Sequence, residues 1–328
     1  MSVWRSSHCL HMFTMVADAQ GIVLRSAAIA AGLTDHDLWR ARKAGQIVRM
    51  RQGAYALTPV WHELDRLQRV GLVIDAVRQQ YADSPVALSH ASACVVHGGP
   101  TWDLDLSRVL LTNLAGRGER KSAGVTHHRG LCLAADVTRD ERGWLMAPAR
   151  AALDTAAAAP LEAGIAVADW YLNRGLATRE ELDEMFARMR LWPGTLHLHR
   201  ILHLCDGSAE SVGETRTRLL LRSQGLPAAV PQLRVTHPNG RLVGRVDFAW
   251  PEHRTMLEFD GLTKYHRYRR PGESIEEMVI REKLREDRLR ELTGWMMIRL
   301  VWADLASPAT TADRIRRCFD VAARDRAW

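Results

Sequence analysis

Apolar and polar residues alternate twice between Gly240 and Lys264, in the run GRLVGRVDFAWPEHRTMLEFDGLTK, with a break at Pro251-Glu252-His253-Arg254. Period-two alternation on both sides of a turn predicts two half-buried strands, because successive strand side chains point to opposite faces. Centring the turn between Glu252 and His253 sets Asp247 opposite Glu258 and Arg245 opposite Asp260. Opposed residues share a face, so Asp247, Glu258 and Asp260 are predicted to lie together on one side. Leu242, Val246, Phe248, Leu257 and Phe259 are left to form the apolar side.

Elsewhere the pattern is mostly helical in period. Residues 4–58 predict helices over His8–Ala19, Ala27–Ala31 and from Thr34 or Asp35 to about Ala44, with stops at Gly21, Gly32 and Gly45. Strands Ile47–Met50 and Ala54–Leu57 follow, turning at Gln52-Gly53. Two short helices joined by a Gly-containing turn and followed by a hairpin predict a winged helix-turn-helix at 1–58. Residues 59–209 predict a mostly helical middle, with strands only at Val109–Thr112 and Val125–His128. From Glu210 the order is α, β, β, β, α, β, α, opened by a capping-box pair, Ser211 and Glu214. The expectation is a multidomain α+β protein: winged helix at 1–58, mostly helical middle at 59–209, and an αβββαβ domain at 210–328.

Composition narrows the class. The 328 residues are 47% hydrophobic and 25% charged, ordinary for a globular protein of two or three domains. The net charge of +7 favours a polyanionic partner. Five scattered cysteines without a CxxC argue for reduced thiols in a cytoplasm, and the N-terminus carries no signal-peptide pattern. The most apolar region, Ala151 to Leu172, is broken by Asp154, Pro160, Glu162 and Asp169, so no membrane span is expected.

Three carboxylates on one ribbon face repel unless something positive offsets them. The candidates are Arg245 and a divalent cation, for which hard oxygen ligands suit magnesium or manganese. The plainer alternative is that the acids sit at wet strand ends and pair with arginines. Arg40, Arg42 and Lys43 on the third helix, with Arg49 and Arg51 on the hairpin, are the cations expected to meet a DNA groove and its phosphates. Lys264, Tyr265, Arg267, Tyr268, Arg269 and Arg270 interleave cations with aromatics, which suits a nucleic-acid backbone. On the long charged helix, Leu284, Asp287 and Glu291 share a face, so Asp287 is expected to turn inward. His199 and His203 have zinc-compatible spacing but no second pair nearby, and the adjacent His127 and His128 face opposite ways on a strand.

The strand order and the stretch VDFAWPEHRTMLEFDGLTK resemble restriction-endonuclease-like (PD-(D/E)xK) nucleases over residues 210–305. The closer likeness is to relatives of very-short-patch-repair endonucleases, whose E-x-D-G-x-x-H is matched by Glu258, Asp260, Gly261 and Lys264. That resemblance implies a magnesium ion held by Asp247 and Glu258, polarising a scissile phosphate and acidifying a water. Asp260 stands where many such nucleases have lysine, which implies an outer or second-metal ligand. Lys264 stands where these relatives have histidine, and Glu214 matches a first-helix acid that completes the metal site, beside its role in a capping box. Residues 22–57, IVLRSAAIAAGLTDHDLWRARKAGQIVRMRQGAYAL, resemble the winged-helix domain of AbiEi-type antitoxins. Two functions follow: a metal-dependent DNA endonuclease, or a DNA-binding regulator or antitoxin with a degenerate nuclease domain. DNA is the expected partner, with a homodimer and a toxin or defence partner both compatible.

Overall fold

The computed structural model describes residues 12–115, 118, 120–261 and 272–324. The chain separates into two compact units, Met1–Val167 with Leu176–Ile201, and Ala168–Gly175 with Leu202–Trp328.

The first unit begins with a helical turn over 12–16, then β1 (Ile22–Leu24), α1 (Arg25–Ala30), α2 (Asp35–Lys43), β2 (Ile47–Arg51) and β3 (Ala54–Leu57). The strands form an antiparallel sheet in the order β1-β3-β2. Thr34 caps α2 in a reciprocal box with Asp37, satisfying amides the first turn leaves open. Phe13, Val23, Ala28, Leu38, Ala41 and Ile47 close a small core between these helices and the sheet. β1 was not expected, since a three-residue apolar run carries too little period to read.

Next come α3 (Thr58–Glu63) and α4 (Arg66–Gln80), whose Leu72 and Ala76 pack on Ala54 and Ala56 of β3. The middle is mostly helical as expected, but it holds more strands than the two expected. It holds a six-stranded mixed sheet of β4 (Val86–Leu88), β5 (Val109–Asn113), β6 (Arg120–Ser122), β7 (Val125–Arg129), β8 (Val137–Asp140) and β9 (Gly143–Met146). Only β5 and β7 are long enough to show a pattern. The others have three or four residues and draw their pairing from tertiary neighbours. Helices α5 (His90–His97), α6 (Pro148–Ala158), α7 (Leu161–Asn173), α8 (Arg179–Met189) and α9 (Leu198–Leu204) complete the region.

The second unit contains α10 (Val212–Ser223), β10 (Val230–Thr236), β11 (Leu242–Trp250), β12 (Thr255–Phe259), α11 (Ile275–Thr293), β13 (Met296–Leu300), α12 (Trp302–Leu305) and α13 (Pro308–Arg324). Its sheet runs β10-β11-β12-β13, with β12 and β13 parallel and the other neighbours antiparallel. The sheet is packed on two sides, where a half-wet ribbon was expected. Phe248, Trp250, Leu257, Phe259, Ile298 and Leu300 meet Leu220, Leu221, Ile315 and Phe319 of α10 and α13. Val235, Val246, Ala249 and Met256 meet Leu289 of α11. Val246 thus parts from Phe248, and Leu242 is 47% exposed. Gly213 permits the tightest of these contacts: a Cβ there would lie 1.9 Å from Cε1 of Phe259.

Candidate functional site

β11 and β12 follow the register centred between Glu252 and His253, pairing Trp250 with Thr255, Ala249 with Met256 and Phe248 with Leu257. Pairing ends there, one step before Asp247 and Glu258. The Phe259 N–H donates instead to Asp247 Oδ2 at 2.8 Å, so a side chain takes the role of a ladder acceptor. Where the strands part, a cavity of about 570 Å³ opens. It is lined by seven carboxylates, Glu210, Glu214, Asp247, Glu258, Asp260, Glu282 and Glu286, and by Arg245, Lys283, Arg285 and Arg299.

Glu214 reaches this cavity from the first turn of α10 and is 4% exposed. It accepts hydrogen bonds from the Glu210 N–H (2.9 Å), Ser211 Oγ (2.8 Å) and Gln232 Nε2 (2.8 Å). Ser211 caps the Glu214 N–H through its hydroxyl at 3.2 Å, but the Glu214 carboxylate takes the Glu210 amide in place of the Ser211 amide, so only half of the expected capping box forms. Burial, and then the neighbouring Asp247 carboxylate, push its pKa up to about 7. Gln232 escaped the sequence reading; it holds a left-handed backbone conformation, φ +50, inside β10.

Glu210, Glu258, Asp260, Glu282 and Glu286 are already answered by arginines. Glu258, 5% exposed, accepts from Arg285 Nη2 at 2.6 Å, and Arg299 Nη2 lies 4.0 Å from its second oxygen. Arg299 also donates to Asp260 at 2.9 Å and pairs with Glu286 at 2.7 Å. Arg245, expected opposite Asp260, pairs with Glu210 at 2.6 Å. The partners come from β13, which sets Arg299 beside Glu258 in register, and from α11. On α11 the cavity is faced by Met278, Glu282, Arg285 and Glu286. Asp287, expected inward, does not line it, and Leu284 is 50% exposed.

A hard divalent cation takes about six oxygen ligands with little tolerance for competing donors. Here Glu258 is engaged by guanidinium and one Asp247 oxygen by a backbone amide. Among the described residues, no group of three or more His, Cys, Asp or Glu is placed to hold a metal ion. The donor set as arranged therefore does not fit magnesium or manganese. Lys264, Tyr265, Arg267, Tyr268, Arg269 and Arg270 lie outside the described residues.

The cations of the winged region present a different surface. Arg40, Arg42, Lys43 and Arg49 are exposed. Arg51 is not available to a groove: Nη1 donates to Gln80 Oε1 and Nη2 to the Ala123 carbonyl at 3.2 Å. Its half-buried guanidinium is pushed below its ordinary pKa by desolvation. On α2, His36, Trp39, Arg40 and Lys43 fall at i, i+3, i+4 and i+7, one helix face. Trp39 is 51% exposed, its ring stacked against His36 with centroids 5.7 Å apart and Lys43 Nζ 6.0 Å away. His36 and Trp39 were missed, although the spacing in DHDLWRARK shows them. The two histidines at zinc-compatible spacing have separate partners: His199 contacts the Leu196 carbonyl at 3.1 Å and His203 contacts Arg222 at 3.2 Å.

Comparison with known proteins bears on both regions. The chain is 28% identical over 282 residues to uncharacterized proteins of two Mycobacterium tuberculosis strains, CDC 1551 and H37Rv, a span covering 85% of this chain and 94% of each relative. Among the described residues no helix is long and apolar enough to cross a membrane. Residues 12–58 match the family described as "Transcriptional regulator, AbiEi antitoxin", so the N-terminal region is similar to the domains of that family.

Proposed function

We propose that the protein is a DNA-binding transcriptional regulator of the antitoxin type. The observation that carries this reading is the α2 face of His36, Trp39, Arg40 and Lys43, exposed in a region that matches a regulator family. A helix of this kind fits the major groove, where cations address phosphates and guanine edges and an aromatic covers thymine methyls. Purified full-length protein should select a DNA sequence from a random pool and bind it with strong salt dependence. Replacing Arg40 and Lys43 together by Ala should weaken binding at least about tenfold and flatten the salt slope by about two charges. Binding unchanged by those substitutions would reject the reading.

A second reading, a magnesium- or manganese-dependent DNA endonuclease, is favoured by one observation. Burial first, and then the neighbouring Asp247 carboxylate, lift the Glu214 carboxyl to about 7, and a bound cation would relieve the repulsion between the two acids. In that reading Asp247, Glu258, Asp260, Lys264 and Glu214 form the site, with Tyr265, Arg267, Tyr268, Arg269 and Arg270 on the DNA. It requires Arg285 to leave Glu258. Nicking of supercoiled DNA in either metal, abolished by Asp247→Ala and by Glu258→Ala, is its test. Intact DNA after prolonged incubation would remove it.

A further inference from the structure

We propose that Arg285 is the built-in cation of the carboxylate cleft, occupying the place between β11 and β12 that a divalent ion would need. Each of its guanidinium nitrogens is committed to a different element. Nη2 donates to Glu258 on β12 at 2.6 Å, Nη1 to the Arg245 carbonyl on β11 at 3.3 Å, and Nε to Glu282 on its own helix at 3.0 Å. A planar fork with all three directions satisfied is a rigid plug and not a mobile counter-ion. Arg299 Nη2 stands 4.0 Å from the other Glu258 oxygen while pairing with Asp260 and Glu286. Burial draws the Arg285 guanidinium downward in pKa, yet Glu258 and then Glu282 outweigh it and hold it above its ordinary value. The group stays charged at any pH the fold survives.

A manganese ion entering this cleft must displace that fork from a carboxylate that is only 5% exposed, leaving a guanidinium without its partner. The cleft therefore keeps its acids through an internal ion pair and has no need of a metal. The inference concerns the C-terminal unit alone, so its failure leaves DNA binding through α2 standing.

The test is a manganese titration of the full-length protein, followed by electron paramagnetic resonance of free Mn²⁺. The unsubstituted chain should take up no Mn²⁺ that depends on Glu258. Arg285→Met, which keeps the side chain's length without its charge, should bind Mn²⁺ at least about tenfold more tightly and gain thermal stability on adding it, as expected when oxygen ligands are uncovered. Arg285→Lys, which keeps a positive charge, should not gain that affinity. Equal affinity in the unsubstituted chain and Arg285→Met would overturn the proposal. So would Mn²⁺ uptake by the unsubstituted chain that Glu258→Gln abolishes, a result that stands even if the Arg285 variants fail to fold.

Discussion

The α2 face and the cleft of the second unit both carry charged side chains and use them in opposite ways. On α2 the cations Arg42 and Lys43 stand in water beside an exposed tryptophan. In the cleft, arginines from α11, β11 and β13 are spent on buried or half-buried acids. A solvated cation costs the fold little and remains free for a partner, whereas a desolvated one is tied to the acid that compensates it. The lesson concerns net charge. The chain carries +7, but the cleft is lined by seven carboxylates against four cations, so the global excess of positive charge does not describe the surface most suggestive of chemistry.

That contrast can be broken most forcefully at Arg285. Arg285→Ala strands Glu258 without its partner and should cost about 3–5 kcal/mol of unfolding free energy, read by denaturant melts, while DNA affinity is unchanged. A loss of DNA binding with intact stability would mean that the cleft, too, faces nucleic acid. Next is Glu214, whose folded pKa is raised from 4.5 to about 7. The folded state keeps a proton that the unfolded state releases, so this stabilisation is complete below pH 4.5 and is lost as pH rises through about 7. The second unit should lose roughly 2–3 kcal/mol across that window, and Glu214→Gln should flatten the profile.

On the other side of the comparison, Trp39→Ala should weaken DNA binding by about 1–2 kcal/mol and shift folding stability by less than about 0.5 kcal/mol. A large folding defect would show that Trp39 is packed and not presented. The smallest effect is expected at Arg51. Arg51→Ala removes its bonds to Gln80 and the Ala123 carbonyl, for about 1 kcal/mol of stability, and should leave DNA affinity within twofold. A DNA defect equal to that of Arg40 and Lys43 would return Arg51 to the interface.

How much of this was legible varies with the range of the interaction. The register of β11 and β12 was readable because Pro251-Glu252-His253-Arg254 interrupts a strict alternation. The helices around Thr34 and Gly45 were readable from local capping, which needs only a few residues. The middle sheet was not, because β4, β6, β8 and β9 are too short to express a period. The partners of the acids were also hidden. Arg285 lies 27 residues from Glu258, and Arg299 meets it only because β13 pairs parallel to β12. The inward turn expected of Asp287 rests on a face assigned from Leu284 and Glu291, yet the face that packs is that of Met278 and Leu289. Trp39 and His36 were available at helical spacing and were passed over for the more conspicuous arginines.

The carboxylate of Asp247 receives the Phe259 amide where an opposing carbonyl would ordinarily stand. Main chains joined directly lie about 4.8 Å apart; an acid inserted between them sets a wider spacing fixed by its own reach. Beside it a residue of the covering helix, Arg285, donates to the carbonyl of Arg245 at 3.3 Å. Shortening or lengthening one aspartate would therefore move two ribbons and a helix together.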